Sequence, residues 1–96
     1  MSSARRLYAQ DKFDENKNML PEHMQGAMHR YIFDKIEPGS FLEAVLCNDL
    51  RGAVAKADHI NKARLPEIVT FCMWALPIDS WGSAERYENW LSSEPI

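Results

Sequence analysis

Three histidines, two cysteines and a scatter of carboxylates are the residues of this chain that could do chemistry, and their spacing decides which kind. His23 and His29 stand six positions apart, on different faces of any helix, and no His-Glu-x-x-His run occurs. Cys47 and Cys72 are 25 residues apart and lack the paired neighbours that make a zinc site recognisable. No phosphate-binding loop, nucleophile elbow, dinucleotide-binding glycine turn or paired-carboxylate motif is present. The expectation is a protein that is not an enzyme and holds neither metal nor cofactor, its two cysteines serving as reduced core thiols.

Two polar clusters remain as candidate sites: Asn48, Asp49 and Arg51, then Asp58, His59 and Asn61. Asn and Asp also collect at helix ends, where their side chains bond free backbone amides, so the plain reading is that both clusters mark caps. Arg51, Lys56, Lys62 and Arg64 give the middle of the chain a positive excess that could meet a phosphate or an acidic partner, though such charges more often form a solvated face. Asp79, Glu85, Glu88 and Glu94 reverse the sign near the C-terminal end, and opposite signs on two segments suit self-association or contact with a partner.

Trp74, Trp81, Tyr87 and Trp90 crowd together, and such rings populate both cores and binding hot spots. Core packing accounts for most of them. Trp81, in a turn between Ser80 and Gly82, is either a lid over the core or an exposed anchor; the area a Trp buries favours the lid. Trp74, Trp81 and Trp90 are the candidate partner anchors, with Arg51, Lys62 and Arg64 or Glu85 and Glu88 as the charged rim.

These residues must be positioned by helices, since the apolar pattern follows a helical period throughout. Residues 1–20 read as a polar arm, partly flexible, ordered where Leu7, Tyr8 and Phe13 dock, with room for a short helix. Pro21 opens helix one, whose stripe of Met24, Ala27, Met28, Tyr31, Ile32 and Ile36 runs to the stop at Pro38-Gly39. Ser40 and Glu43 form a capping box for helix two, which carries Leu42, Val45, Leu46, Leu50, Ala53, Val54 and Ala57; Gly52 weakens its middle and leaves room for a break near Asn48 to Gly52. Asp58 caps helix three, which Pro66 kinks or restarts. The second half of that helix is apolar nearly all round, including Met73 and Trp74, which makes it the expected centre of the fold or an interface. Pro77 ends it, Ser83 caps a last helix holding Tyr87, Trp90 and Leu91, and residues 93–96 are a tail. The result is an all-α fold, a compact orthogonal bundle of four to five short helices, with residues 21–92 as its single domain.

Composition bounds the rest. A chain of 96 residues fits one domain, and a domain this small buries a limited share of its surface, so 46% apolar residues point to a homodimer or higher oligomer. A formal net charge of −3 gives no general attraction to nucleic acid or an anionic membrane. No run approaches a membrane span and residues 1–10 lack the apolar core of a signal peptide, so a cytoplasmic location is expected.

The run Ile36-Glu37-Pro38-Gly39-Ser40-Phe41-Leu42-Glu43-Ala44-Val45-Leu46-Cys47-Asn48-Asp49-Leu50, with Ala57-Asp58, Asn61, Trp81-Gly82-Ser83 and Trp90-Leu91, resembles a type of small bacteriophage and prophage protein. That resemblance implies origin in a mobile element of a bacterial host, where small acidic helical proteins often bind and block a host enzyme, regulator or defence complex. It carries no catalytic residues. Three functions are expected, in this order. The first is an interaction protein that occludes a host factor. Next comes an oligomeric module sequestering a nucleotide-like signal between an aromatic ring and Arg51 or Arg64. The last is a helix-turn-helix DNA-binding regulator using Asn48, Arg51, Lys62 and Arg64, against which the acidic balance counts.

Overall fold

The computed structural model describes residues 3–96. Among them are seven α-helices and no strand: α1 (Ser3–Asn16), α2 (Glu22–Asp34), α3 (Ser40–Leu46), α4 (Leu50–Lys56), α5 (His59–Ala63), α6 (Leu65–Ala75) and α7 (Ala84–Ser92), with 3-10 turns at Lys17–Met19 and Ile78–Ser80. The all-α bundle expected from the periodicity is present. Its helices outnumber the four or five expected because the segment read as an arm is itself a 14-residue helix and because helices two and three each divide.

Each division has a local cause. Beyond Leu46 the chain turns through Asn48, whose φ of 61° is left-handed, a conformation that Asn tolerates better than most residues. Asp49 then accepts a hydrogen bond from the Gly52 amide and starts α4. Asp58 does the same for α5 through the Asn61 amide at 2.7 Å, and Pro66 falls in the first turn of α6, where no amide is needed. The expected capping box is not formed. Gly39, at φ 94°, takes the N-cap position of α3 and Ser40 is already helical, so the Ser40 hydroxyl caps nothing. Helix α2 also stops earlier than the proline suggests, at Lys35 in the left-handed region (φ 59°), which leaves Ile36 outside the stripe and exposed.

The core gathers around α2 and α6. Met28, Tyr31, Ile32 and Phe33 of α2 and Ile68, Phe71 and Cys72 of α6 are essentially inaccessible. Tyr31 donates to the Ser80 carbonyl at 2.6 Å and stacks on Tyr87, 5.4 Å between ring centroids, tying α2 to the second 3-10 turn and to α7. The Trp90 indole N–H donates to the Ile32 carbonyl at 3.2 Å, and Lys35 closes the same corner with Nζ 3.3 Å from the centre of the Trp90 ring and 3.0 Å from Ser93 Oγ.

Helix α1 packs against α6 in the opposite direction. Its start lies near the segment after α6, where Arg5 meets Asp79 at 3.7 Å. Further along, Phe13 sets its ring edge-on to Phe71, 5.4 Å away, and also meets Phe33 and His29 of α2. Past its end, Arg64 at the head of α6 donates to the carbonyls of Asn18 and Met19. Ala9 and Phe13 face inward, whereas Leu7 and Tyr8, expected to dock, point outward at 64% and 65% exposure. A helix with so thin an apolar stripe reads from sequence as a polar arm.

Candidate protein-binding groove

The seam between α1 and the second half of α6 is open at one end of the molecule. Ala9 of α1 and Ala75 of α6, both buried, line it. Tyr8 and Lys12 rise from α1 on one side, Met73 and Trp74 from α6 on the other, and Pro77 closes the end. The space between them is about 360 Å³, inside the range of ordinary binding clefts. Trp74 is 66% exposed and Met73 63%, with Ile78 also uncovered just beyond Pro77. A tryptophan turned this far into water forgoes the large burial its ring offers the core, and large rings grouped with Met at a surface mark contact sites.

Among the described residues the charged side chains lining the groove are Arg5, which pairs with Asp79 at 3.7 Å, and Lys12. The Lys12 ammonium lies 5.7 Å from the centre of the Tyr8 ring and 3.6 Å from Glu15. Arg5 spans the wall between this groove and a second hollow lined by Asp79, Arg86 and Asn89, and its guanidinium sits 5.8 Å from the Trp90 ring.

The candidate residues read from sequence are dispersed. Of the three tryptophan anchors only Trp74 is fully presented. Trp90 is 4% exposed with its indole N–H bonded inside the core, so it cannot serve as a surface anchor. Trp81 is half-buried and packs against the core, as a lid does, beside Val45, Leu50 and Val69. Arg64 is withdrawn from the proposed charged rim: its Nε bonds Glu67 at 2.7 Å and its Nη2 two backbone carbonyls, which makes it a clamp between α6 and the turn after α1. Arg51 on α4, Lys62 on α5, and Glu85 and Glu88 on α7 are exposed.

Both polar clusters act as caps, through Asp49 and Asp58, while Asn48 forms the left-handed turn. His59 is exposed at the first position of α5. Asp58 also meets His23 of α2, Nε2 to Oδ2 3.2 Å, a pairing that spacing along the chain does not reveal. The Asn61 amide and then His23 hold its carboxyl below the usual range. Asn61 is buried, its Nδ2 facing the Met24 sulfur at 3.6 Å and its Oδ1 without a hydrogen-bond partner among the described residues. Cys72 is buried and Cys47 half-buried, both as free thiols. Among the described residues no three His, Cys, Asp or Glu side chains converge as a metal site would require, and no helix is long and apolar enough to cross a membrane.

Sequence reasoning missed Tyr8, Arg5 and Lys12 as site residues because they lie in the segment read as an arm. The signal available was the pair of uncommitted large apolar residues, Leu7 and Tyr8, four positions ahead of Asp11 and Lys12 on one helical face. No family model, curated protein or solved structure matches the chain.

Proposed function

We propose that this chain is a binding protein that acts by occupying a surface of another protein through the seam of α1 and α6. One observation carries the reading: Tyr8, Met73 and Trp74, each more than three-fifths exposed, line one groove, with Ile78 uncovered next to Pro77, while Tyr31, Phe33 and Phe71 are closed inside the core. The resemblance to small bacteriophage proteins makes a bacterial host protein the first partner to seek, with blocking of that protein as the effect. The test is capture of stoichiometric partners from a host lysate by the full chain, run beside Trp74→Glu, whose melting should match the parent because Trp74 is not part of the core. A partner retained by the parent and lost from the variant supports the reading, and identical captures overturn it.

A nucleotide-like ligand is the second reading, favoured by the same two rings and two cations around a cleft of suitable size, in place of the Arg51 or Arg64 site expected from sequence. Melting of the chain with and without millimolar ATP, AMP or a cyclic nucleotide separates it from the first, since a ligand bound only by the folded state raises Tm.

A further inference from the structure

We infer that Met73 is an oxidation site: a hydroperoxide converts its thioether to the sulfoxide ahead of the other described methionines, and the sulfoxide shuts the groove to its partner. The shutting rests on the reading of the seam as a docking surface, whereas the oxidation stands apart from it. Access to sulfur supplies the argument. Met28 is inaccessible within α2, and Met19 and Met24 are half-buried against the core. The Met24 sulfur is engaged besides, with the Asn61 Nδ2 3.6 Å away. Met73 is 63% exposed and lines the groove beside Trp74.

A peroxide oxidises a thioether only by direct approach, which makes exposure the selecting property. The sulfur lone pair attacks one peroxide oxygen, the O–O bond breaks as the S–O bond forms, and the departing hydroxide takes the remaining proton and leaves as water. Sulfur loses two electrons and the peroxide gains them. The product is a polar, chiral side chain in place of a flexible apolar one. The fold does not depend on Met73, since α6 enters the core through Ile68, Phe71, Cys72 and Ala75. A docked partner does: covering the sulfoxide takes a strong acceptor out of water on a surface shaped for a thioether, which weakens binding about tenfold or more. Cys47 is the competing target; it is half-buried, and burial and then Glu43 push its thiol up, which keeps the reactive thiolate scarce.

The experiment is titration of the full chain with hydrogen peroxide, peptide mapping by mass spectrometry, and capture from a host lysate before and after treatment, with Trp74→Glu run in parallel. Met73 should gain one oxygen at doses about tenfold below those that modify Met19, Met24 or Met28, with Tm unchanged. The protein that the parent retains and Trp74→Glu loses should bind the oxidised chain about tenfold or more weakly. The two methionine sulfoxide reductases, one for each epimer, should restore that binding, and dithiothreitol alone, which reverses thiol oxidation, should not. Oxidation of Met73 no faster than that of the half-buried methionines overturns the inference. So does capture that survives complete oxidation of Met73, or that returns with dithiothreitol alone, and the docking surface then stands. Equal capture by the parent and Trp74→Glu overturns the docking reading and the closure with it, while the peptide map still decides the oxidation site.

Discussion

Replacing Tyr31 by Phe removes one oxygen atom from the middle of the fold and tests whether that oxygen holds α2 to the turn before α7. Tyr31 and Ser80 are both inaccessible to water, and the hydroxyl reaches the Ser80 carbonyl at 2.6 Å. A buried hydrogen bond contributes about 1 kcal/mol net, and a carbonyl left without its donor costs about 1 kcal/mol or more besides, so a loss of about 2 kcal/mol is expected. At ~4–8 °C per kcal/mol for a domain of this size, Tm should fall by roughly 8–16 °C. Tyr87→Phe supplies the control. Its ring stacks on Tyr31, but its hydroxyl is buried without a hydrogen-bond partner among the described residues, so the same deletion should be neutral within ~0.5 kcal/mol or slightly stabilising. Calorimetry and urea unfolding followed by tryptophan fluorescence measure both. The account of the core fails if Tyr31→Phe melts within ~2 °C of the parent, or if Tyr87→Phe is as damaging.

Arg64→Met keeps the apolar stem and deletes the bonds to Asn18, Met19 and Glu67; the urea midpoint should show a loss of about 1–2 kcal/mol, against less than ~0.5 kcal/mol for Lys62→Met on an exposed face. Alkylation with iodoacetamide at pH 8 should mark Cys47 slowly, since partial burial and then Glu43 raise its thiol, and Cys72 only as fast as the chain unfolds, because burial pushes the Cys72 thiol up to about 12. Stability should decline in alkali. Burial raises the folded-state values of Cys72, from 9.0 to about 12, and of Tyr87, from 10.0 to about 12, so the unfolded chain loses these protons first. The contribution is complete below about pH 9 and is lost as the pH climbs toward 12, which urea midpoints at pH 8, 9.5 and 11 would trace.

What could be read from the sequence was whatever is decided within one helical turn. Asp58 and Ser83 cap the helices they precede, and the chain breaks at Asn48 and Asp49 because Asn tolerates the left-handed turn and Asp bonds the next helix's amide. Ser40 shows the limit even there: the motif is present, but Gly39 adopts a positive φ and takes over the cap. Which tryptophan faces water is not a local matter. Trp74 and Trp90 both lie in helices with apolar residues at helical spacing, and the contacts that make Trp90 core, the acceptor at Ile32, 58 residues away, and the Lys35 ammonium over its ring, are distant in sequence. The clamp role of Arg64 likewise depends on carbonyls 45 and 46 residues away, and the groove depends on pairing α1 with α6.

That pairing has a consequence for how occupancy is felt by the chain. Tyr8 and Trp74 are 66 residues apart, and no fragment or unfolded chain brings them together. A ligand seated between them binds the native state alone, so each tenfold rise in its free concentration above Kd adds ~1.4 kcal/mol to the free energy of unfolding. Occupation of the seam would therefore lengthen the lifetime of the protein against proteases that cut the opened chain, and the survival of the chain would report the abundance of whatever it holds.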